Sequence, residues 1–160
     1  MQLLVEPLVQ PGILGGTAMS AGIDFEALVR GAGDAIIAAG TDGIIVLWNR
    51  AAERIFGHTE AEAVGHSLDL IIPERFRARH WDGYRTVMQT GETKYGSDLL
   101  RVPALHKDGR RLSIAFSVTL LFSATHEVQG IAAIVRDETD RWEQERALRQ
   151  QVSDLETGKR

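Results

Sequence analysis

The stretch AIIAAGTDGIIVLWNRAAERIFG, residues 35–57, decides the fold. Two β-prone runs, Ala35–Ala39 and Ile44–Trp48, flank Asp42-Gly43. Asp-Gly suits a tight hairpin in which both central residues take positive φ, which Gly tolerates freely and Asp better than most. Ala51–Phe56 then reads as a short helix stopped by Gly57. Farther along, Asp108-Gly109 separates Leu99–His106 from Leu112–Phe122 and predicts a second hairpin. The block between the hairpins reads as helices. A sheet split in this way carries helices across a concave face, and the gap between them is a natural ligand pocket.

Outward from that core, Asp24–Arg30 predicts a short helix capped by Asp24, with Phe25, Leu28 and Val29 on one face. Thr59 caps another short helix, closed by Gly65. Ser67–Ile72 runs into Pro73, which suits the first turn of a longer helix, Pro73–Thr90, with Gly91 after it. Three strands follow, about Tyr95–His106, Arg110–Phe122 and Val128–Asp137. In the second, Leu112, Ile114, Phe116, Val118 and Leu120 alternate with smaller or polar residues, the period of a strand with one buried face. From Thr139 the chain is helical and polar, and Leu148, Val152 and Leu155 form a short coiled-coil seam that needs a partner helix or a domain face. The expected organisation is a disordered tail over residues 1–22, a domain over 23–138 and a helix over 139–160. Met19 is an alternative start.

The 160 residues are 44% hydrophobic and 25% charged, with a net charge of −4 and no cysteine. That charge points away from nucleic acid and acidic membranes as direct partners. The lack of cysteine excludes disulfides, thiolate metal sites, thioether haem attachment and cysteinyl photochemistry. No run approaches the roughly 20 apolar residues of a membrane span, and the apolar N-terminal segment lacks a basic leader. A cytoplasmic location is expected. His58, His66, His106 and His126 are scattered without metal-ligand spacing. No nucleophile elbow, P-loop or kinase signature is present, so catalysis is not expected. Arg75, Arg77, Arg79 and Arg85 share one helix and read as a solvated outer face beside Glu74 and Asp82.

Hairpin, helical insert, three strands: in this order, with Asn49 after the second strand, the Ala51–Gly57 helix, Lys107-Asp108-Gly109 and the closing Asp137-x-Thr139, the chain resembles the PAS sensor family over about Phe25–Arg141. No single motif is specific; their order and spacing are. The resemblance implies an α+β fold with a five-stranded antiparallel sheet in the order 2-1-5-4-3, a helical insert, a C-terminal coiled-coil helix and a pocket between sheet and insert. It implies a sensory and dimerisation module of signal transduction, in which a pocket signal passes through the Asp137–Thr139 joint to the C-terminal helix. The expected partners are a second copy and an effector, in trans or beyond this chain, such as a histidine kinase of a two-component system, a cyclic-dinucleotide enzyme or a DNA-binding domain regulating transcription. Physically, Asp137 and Thr139 sit where a strand becomes a helix, and their side chains are suited to cap it.

At helical spacing Ile72, Phe76, His80, Tyr84 and Val87 form one stripe, which turns His80 towards the pocket among apolar neighbours. A neutral imidazole on a rigid element facing a dry cavity is what an axial haem ligand needs. The segment is similar to the haem-ligating helix of oxygen-sensing haem-PAS kinases and phosphodiesterases, which makes His80 the candidate iron ligand. Phe76, Tyr84, Leu100, Ile114 and Phe116 are the candidate pocket lining. Those sensors carry an Arg where this chain has Leu100, with Arg101 one place along on the opposite face, so a haem here would favour CO, NO or redox sensing over stable oxygen binding. Two alternatives stay open: a ligand-free interaction module, and a non-covalent flavin with Trp48, Trp81 or Tyr84 as stacking partners.

Overall fold

A computed structural model describes residues 22–94 and 98–158. The tail expected over residues 1–22 lies outside these but for Gly22, as does the start of the strand expected at Tyr95. Helix α1 spans Phe25–Gly31 and is followed by strands β1 (Ala35–Gly40) and β2 (Ile45–Trp48). The insert comprises α2 (Arg50–Phe56), α3 (Glu60–Ala63), a 3-10 turn at Leu68–Leu70 and α4 (Glu74–Thr90). Strands β3 (Leu100–Leu105), β4 (Arg111–Phe122) and β5 (Val128–Asp137) lead into α5 (Thr139–Thr157). All pairings are antiparallel, in the order β2-β1-β5-β4-β3, so β1 and β5 lie side by side at the centre.

The hairpins form by a different turn from the one the sequence predicts. Asp42 and Asp108 keep negative φ; only Gly43 (+76°) and Gly109 (+86°) are left-handed. Gly43 N–H donates to Gly40 O and Gly40 N–H to Ile44 O, both at 2.9 Å. Asp42 Oδ1 accepts the Ile44 amide at 3.0 Å. The turn is therefore a two-residue bend closed by a left-handed glycine, with the aspartate acting through its carboxylate and not through its backbone. His106–Arg110 repeats the pattern, including Arg110 N–H to Asp108 Oδ1 at 3.0 Å. So does Ser123–Glu127, where His126 holds the left-handed position at φ +61°.

The face of the sheet towards the insert carries the core. Ile37, Ile45, Trp48, Leu112, Ile114 and Val135 close against Ala51, Ala52, Phe56, Ala63 and Ile71. Trp48, Phe56 and Ile45 are the largest fully buried side chains. Backbone bonds stitch the insert to the far hairpin: Lys107 N–H to Phe56 O at 2.8 Å and Leu105 N–H to Ile71 O at 2.9 Å. Pro73 stands at the N-cap of α4 with ψ 135°, one place before the helical turn expected to contain it.

One buried polar side chain holds four segments together. Asn49, 3% exposed, accepts from the amides of Ile36 and Ala52 at 3.0 Å each through Oδ1. Through Nδ2 it donates to Val29 O at 3.0 Å and Asp34 O at 3.1 Å. The same side chain thus caps α2, ends the β1–β2 pairing and tethers α1.

Candidate functional site

Helix α4 is placed by contacts to the β1–β2 turn. Tyr84 Oη donates to Gly40 O at 2.5 Å, and the Trp81 ring sits where a Cβ on Gly43 would stand, 2.3 Å away. Trp81 Nε1 donates to Asp69 Oδ1 at 2.8 Å. Arg77, half-buried, donates to Ile72 O at 3.1 Å and Asp69 O at 3.0 Å. Arg77 therefore departs from the solvated face expected of the four arginines: it ties the start of α4 to the preceding turn. This latch of Asp69, Arg77, Trp81 and Tyr84 went unread in sequence. Its one legible trace was Gly43, whose missing side chain admits the indole.

Along α4, Tyr84 is buried and Ile72, Phe76, His80 and Val87 are half-buried, while Arg75, Ala78, Arg79 and Asp82 are exposed. The His80 ring lies 4.8 Å from the Trp81 ring, edge-on, and 5.7 Å from that of Tyr84. Its Nδ1 is a buried side-chain polar atom that lacks a hydrogen-bond partner among the described residues. Burial holds the His80 imidazole below its ordinary pKa, partly offset by the Asp69 carboxylate, so the ring is neutral at pH 7. Burial likewise pushes the Tyr84 phenol up to about 12, with the Asp42 carboxylate adding to it.

The insert-facing side of the sheet changes character along its length. Ile114 is buried in the closed core. Leu100 and Phe116, cross-strand partners, are half-buried, as are Val118, Leu120, Ile131 and Ala133. Two apolar walls, the α4 stripe and this part of the sheet, thus remain only half covered. The structure brings His80, Phe76 and Tyr84 together on one stripe and Leu100 with Phe116 on the sheet; Ile114 lies deeper, and the Tyr84 hydroxyl is already engaged. Arg101 points to the opposite face from Leu100, where Nε donates to Glu138 Oε2 at 3.0 Å. Among the described residues no group of three or more His, Asp or Glu could hold a metal ion.

At the end of β5 the strand passes into α5 through a side-chain knot. Asp137 Oδ1 accepts the Thr139 amide at 2.9 Å and its hydroxyl at 2.5 Å. Thr139 Oγ1 accepts the Ser113 amide at 3.0 Å, and Glu138 N–H donates to Ser113 O at 2.8 Å. The N-cap residue itself is Glu138, without a side-chain cap. Beside it, Arg136 makes a two-pronged pair with Asp34, at 3.0 and 2.6 Å, and holds the Asp34 carboxyl below its usual range.

Two apolar surfaces lie outside this centre. A groove of about 470 Å³ runs between α1 and the β2–α2 corner, lined by Phe25, Val29, Val46 and Trp48 together with charged residues. On α5, Leu148, Val152 and Leu155 are 61%, 54% and 68% exposed. No helix among the described residues is long and apolar enough to cross a membrane.

Residues 23–137 match the family described as the PAS fold. The sensor protein FixL of Bradyrhizobium diazoefficiens is 31% identical over 123 residues, 76% of this chain and 24% of that protein. The oxygen sensor protein DosP of Escherichia coli is 27% identical over 131 residues, 82% of this chain and 16% of that protein. The chain therefore spans a quarter or less of the length of these curated relatives. The PAS domain crystal structure from Colwellia psychrerythraea superposes with a TM-score of 0.63 at 21% identity, covering 72% of this chain and 94% of that one.

Proposed function

The chain belongs to the PAS family, and we propose that it works as a sensory and dimerisation module whose ligand lies between α4 and the inner face of β3–β5. Residues 23–138 form the sensor and α5 (Thr139–Thr157) the signalling helix; the signal leaves through the Asp137–Thr139 joint. The observation that carries this reading is His80: a neutral imidazole with a buried, unpartnered nitrogen on the half-buried stripe of α4. Buried polar atoms are almost always satisfied, so an orphaned one asks for a partner.

Haem is the ligand these residues fit best. His80 would supply the axial nitrogen, and Phe76, Tyr84, Leu100 and Phe116 an apolar shell, with Ile114 behind them. Bound haem would supply a redox-active iron with a coordination position for a diatomic gas. Leu100 offers no hydrogen bond to such a gas, which favours CO, NO or redox state over stable oxygen binding. The similarity to FixL and DosP, named as a sensor and an oxygen sensor, supports this choice. The effector acts in trans or lies beyond this chain, as a histidine kinase, a cyclic-dinucleotide enzyme or a DNA-binding domain.

The test is an absorption spectrum of the protein titrated with hemin. A Soret band that His80→Ala abolishes is expected; a band unchanged in His80→Ala, or no band, refutes His80 as a ligand. A second reading is a ligand-free interaction module, and the exposed Phe25, Leu28, Leu148, Val152 and Leu155 are compatible with either. In both readings α1 and α5 form the dimer contact, and truncation at Asp140 lowers the mass measured by light scattering; an unchanged mass removes α5 from the interface.

A further inference from the structure

The edge strand β3 has its own line to the output helix. Leu100 faces the candidate pocket beside Phe116, and the next residue, Arg101, lies on the opposite face beside Ala115. Its guanidinium reaches over the sheet to Glu138, thirty-seven residues on, at 3.0 Å. The Glu138 side chain is only 15% exposed, unlike the other carboxylates of the joint, and also pairs with Arg141 of α5 at 3.6 Å. Its backbone belongs to both elements: the amide bonds Ser113 O of β4, and the carbonyl accepts Trp142 N–H of α5 at 2.9 Å. Glu138 is therefore clamped between a cation on β3 and a cation on the helix.

We propose that Arg101 is a positioning residue that couples the pocket wall to α5 through Glu138 and Arg141. A strand is stiff across one residue, so an occupant that shifts Leu100 moves Arg101 with it. Because Glu138 has little water to fall back on, its carboxylate follows the guanidinium or loses it, and the first turn of α5 tightens or loosens accordingly. This route bypasses β5, the strand that leads covalently into the helix. It rests on the pocket lying against Leu100, but not on which ligand fills it.

The test is amide hydrogen exchange at residues 142–145 of the full chain, without any ligand. Leu100→Trp stands in for an occupant, and Leu100→Ala relaxes the same wall should the larger side chain prevent folding. Either is expected to change exchange in this turn roughly fivefold, the scale of one partly desolvated ion pair. Arg101→Gln and Glu138→Gln each raise the exchange by a similar factor, the double variant raises it no further, and in either background the Leu100 substitution adds nothing. A Leu100 effect that persists in Arg101→Gln overturns the coupling, as does exchange that ignores Arg101→Gln or both Leu100 variants. No haem enters this assay, so its outcome is separate from that of the hemin titration.

Discussion

Replacing Asn49 by alanine tests how much of the fold hangs on one amide. An ordinary helix cap lost to alanine costs about 1 kcal/mol. Here the capped amide is itself buried, and a second amide depends on the same oxygen. The Ile36 amide lies opposite Asn49 just beyond the last β1–β2 pair and has Oδ1 as its acceptor, and the Ala52 amide belongs to a fully buried residue. Each donor left without a partner costs about 1–3 kcal/mol when buried. The carbonyls of Val29 and Asp34 are nearer the surface and water replaces part of what they lose. The sum expected is roughly 3 kcal/mol, a large fraction of the 5–15 kcal/mol typical of a domain. Urea denaturation followed by circular dichroism measures it, with the slope unchanged. Hydrogen exchange adds a spatial signature: α1 loses protection before the sheet, because its tether is the Val29 bond. A loss of about 1 kcal/mol or less, the value of a bare cap, would refute the reasoning, as would uniform loss of protection.

Other substitutions probe the turns and the site. His126→Gly is expected to stabilise by roughly 0.5–1 kcal/mol, since His126 occupies the left-handed position that the other two hairpins fill with glycine; a lower melting temperature contradicts it. Gly43→Ala is expected to destabilise by at least about 2 kcal/mol, combining left-handed strain with displacement of the Trp81 ring; a melting temperature within a degree of the parent contradicts it. Burial depresses the folded-state pKa of His80, so its contribution to stability is complete above about pH 6.5 and is lost as pH falls through the folded value. His80→Phe should therefore lose less stability than the parent between pH 7.5 and 5.5, measured by urea midpoints; equal losses count against a buried neutral imidazole.

Local chemistry makes much of this protein legible in its sequence. Alternation in Leu112–Leu120 marked a strand, though not one with a single buried face, since Ala115 on the opposite side is as buried as Ile114; Asp-Gly marked the ends of two hairpins, and the spacing of Phe76, His80 and Tyr84 marked the half-buried stripe of α4. These are short-range properties, in which side chains a few residues apart share a face whatever surrounds them. Even the mistaken turn type failed only in detail, because Asp42 and Asp108 do shape their turns, through carboxylates bonded two residues ahead.

What required the tertiary structure were contacts between residues far apart in sequence. Arg101 meets Glu138, Arg136 meets Asp34, Trp81 lies on Gly43, and Asn49 gathers Val29, Asp34 and Ile36. Periodicity assigns a residue to a face, but not a partner, because the partner is chosen by strand order and register. The closed core at Ile114 and the half-covered wall at Leu100 and Phe116 illustrate the same limit. All three residues carry the same inward pattern, and only the packing of the insert decides which of them is sealed and which stays half-buried.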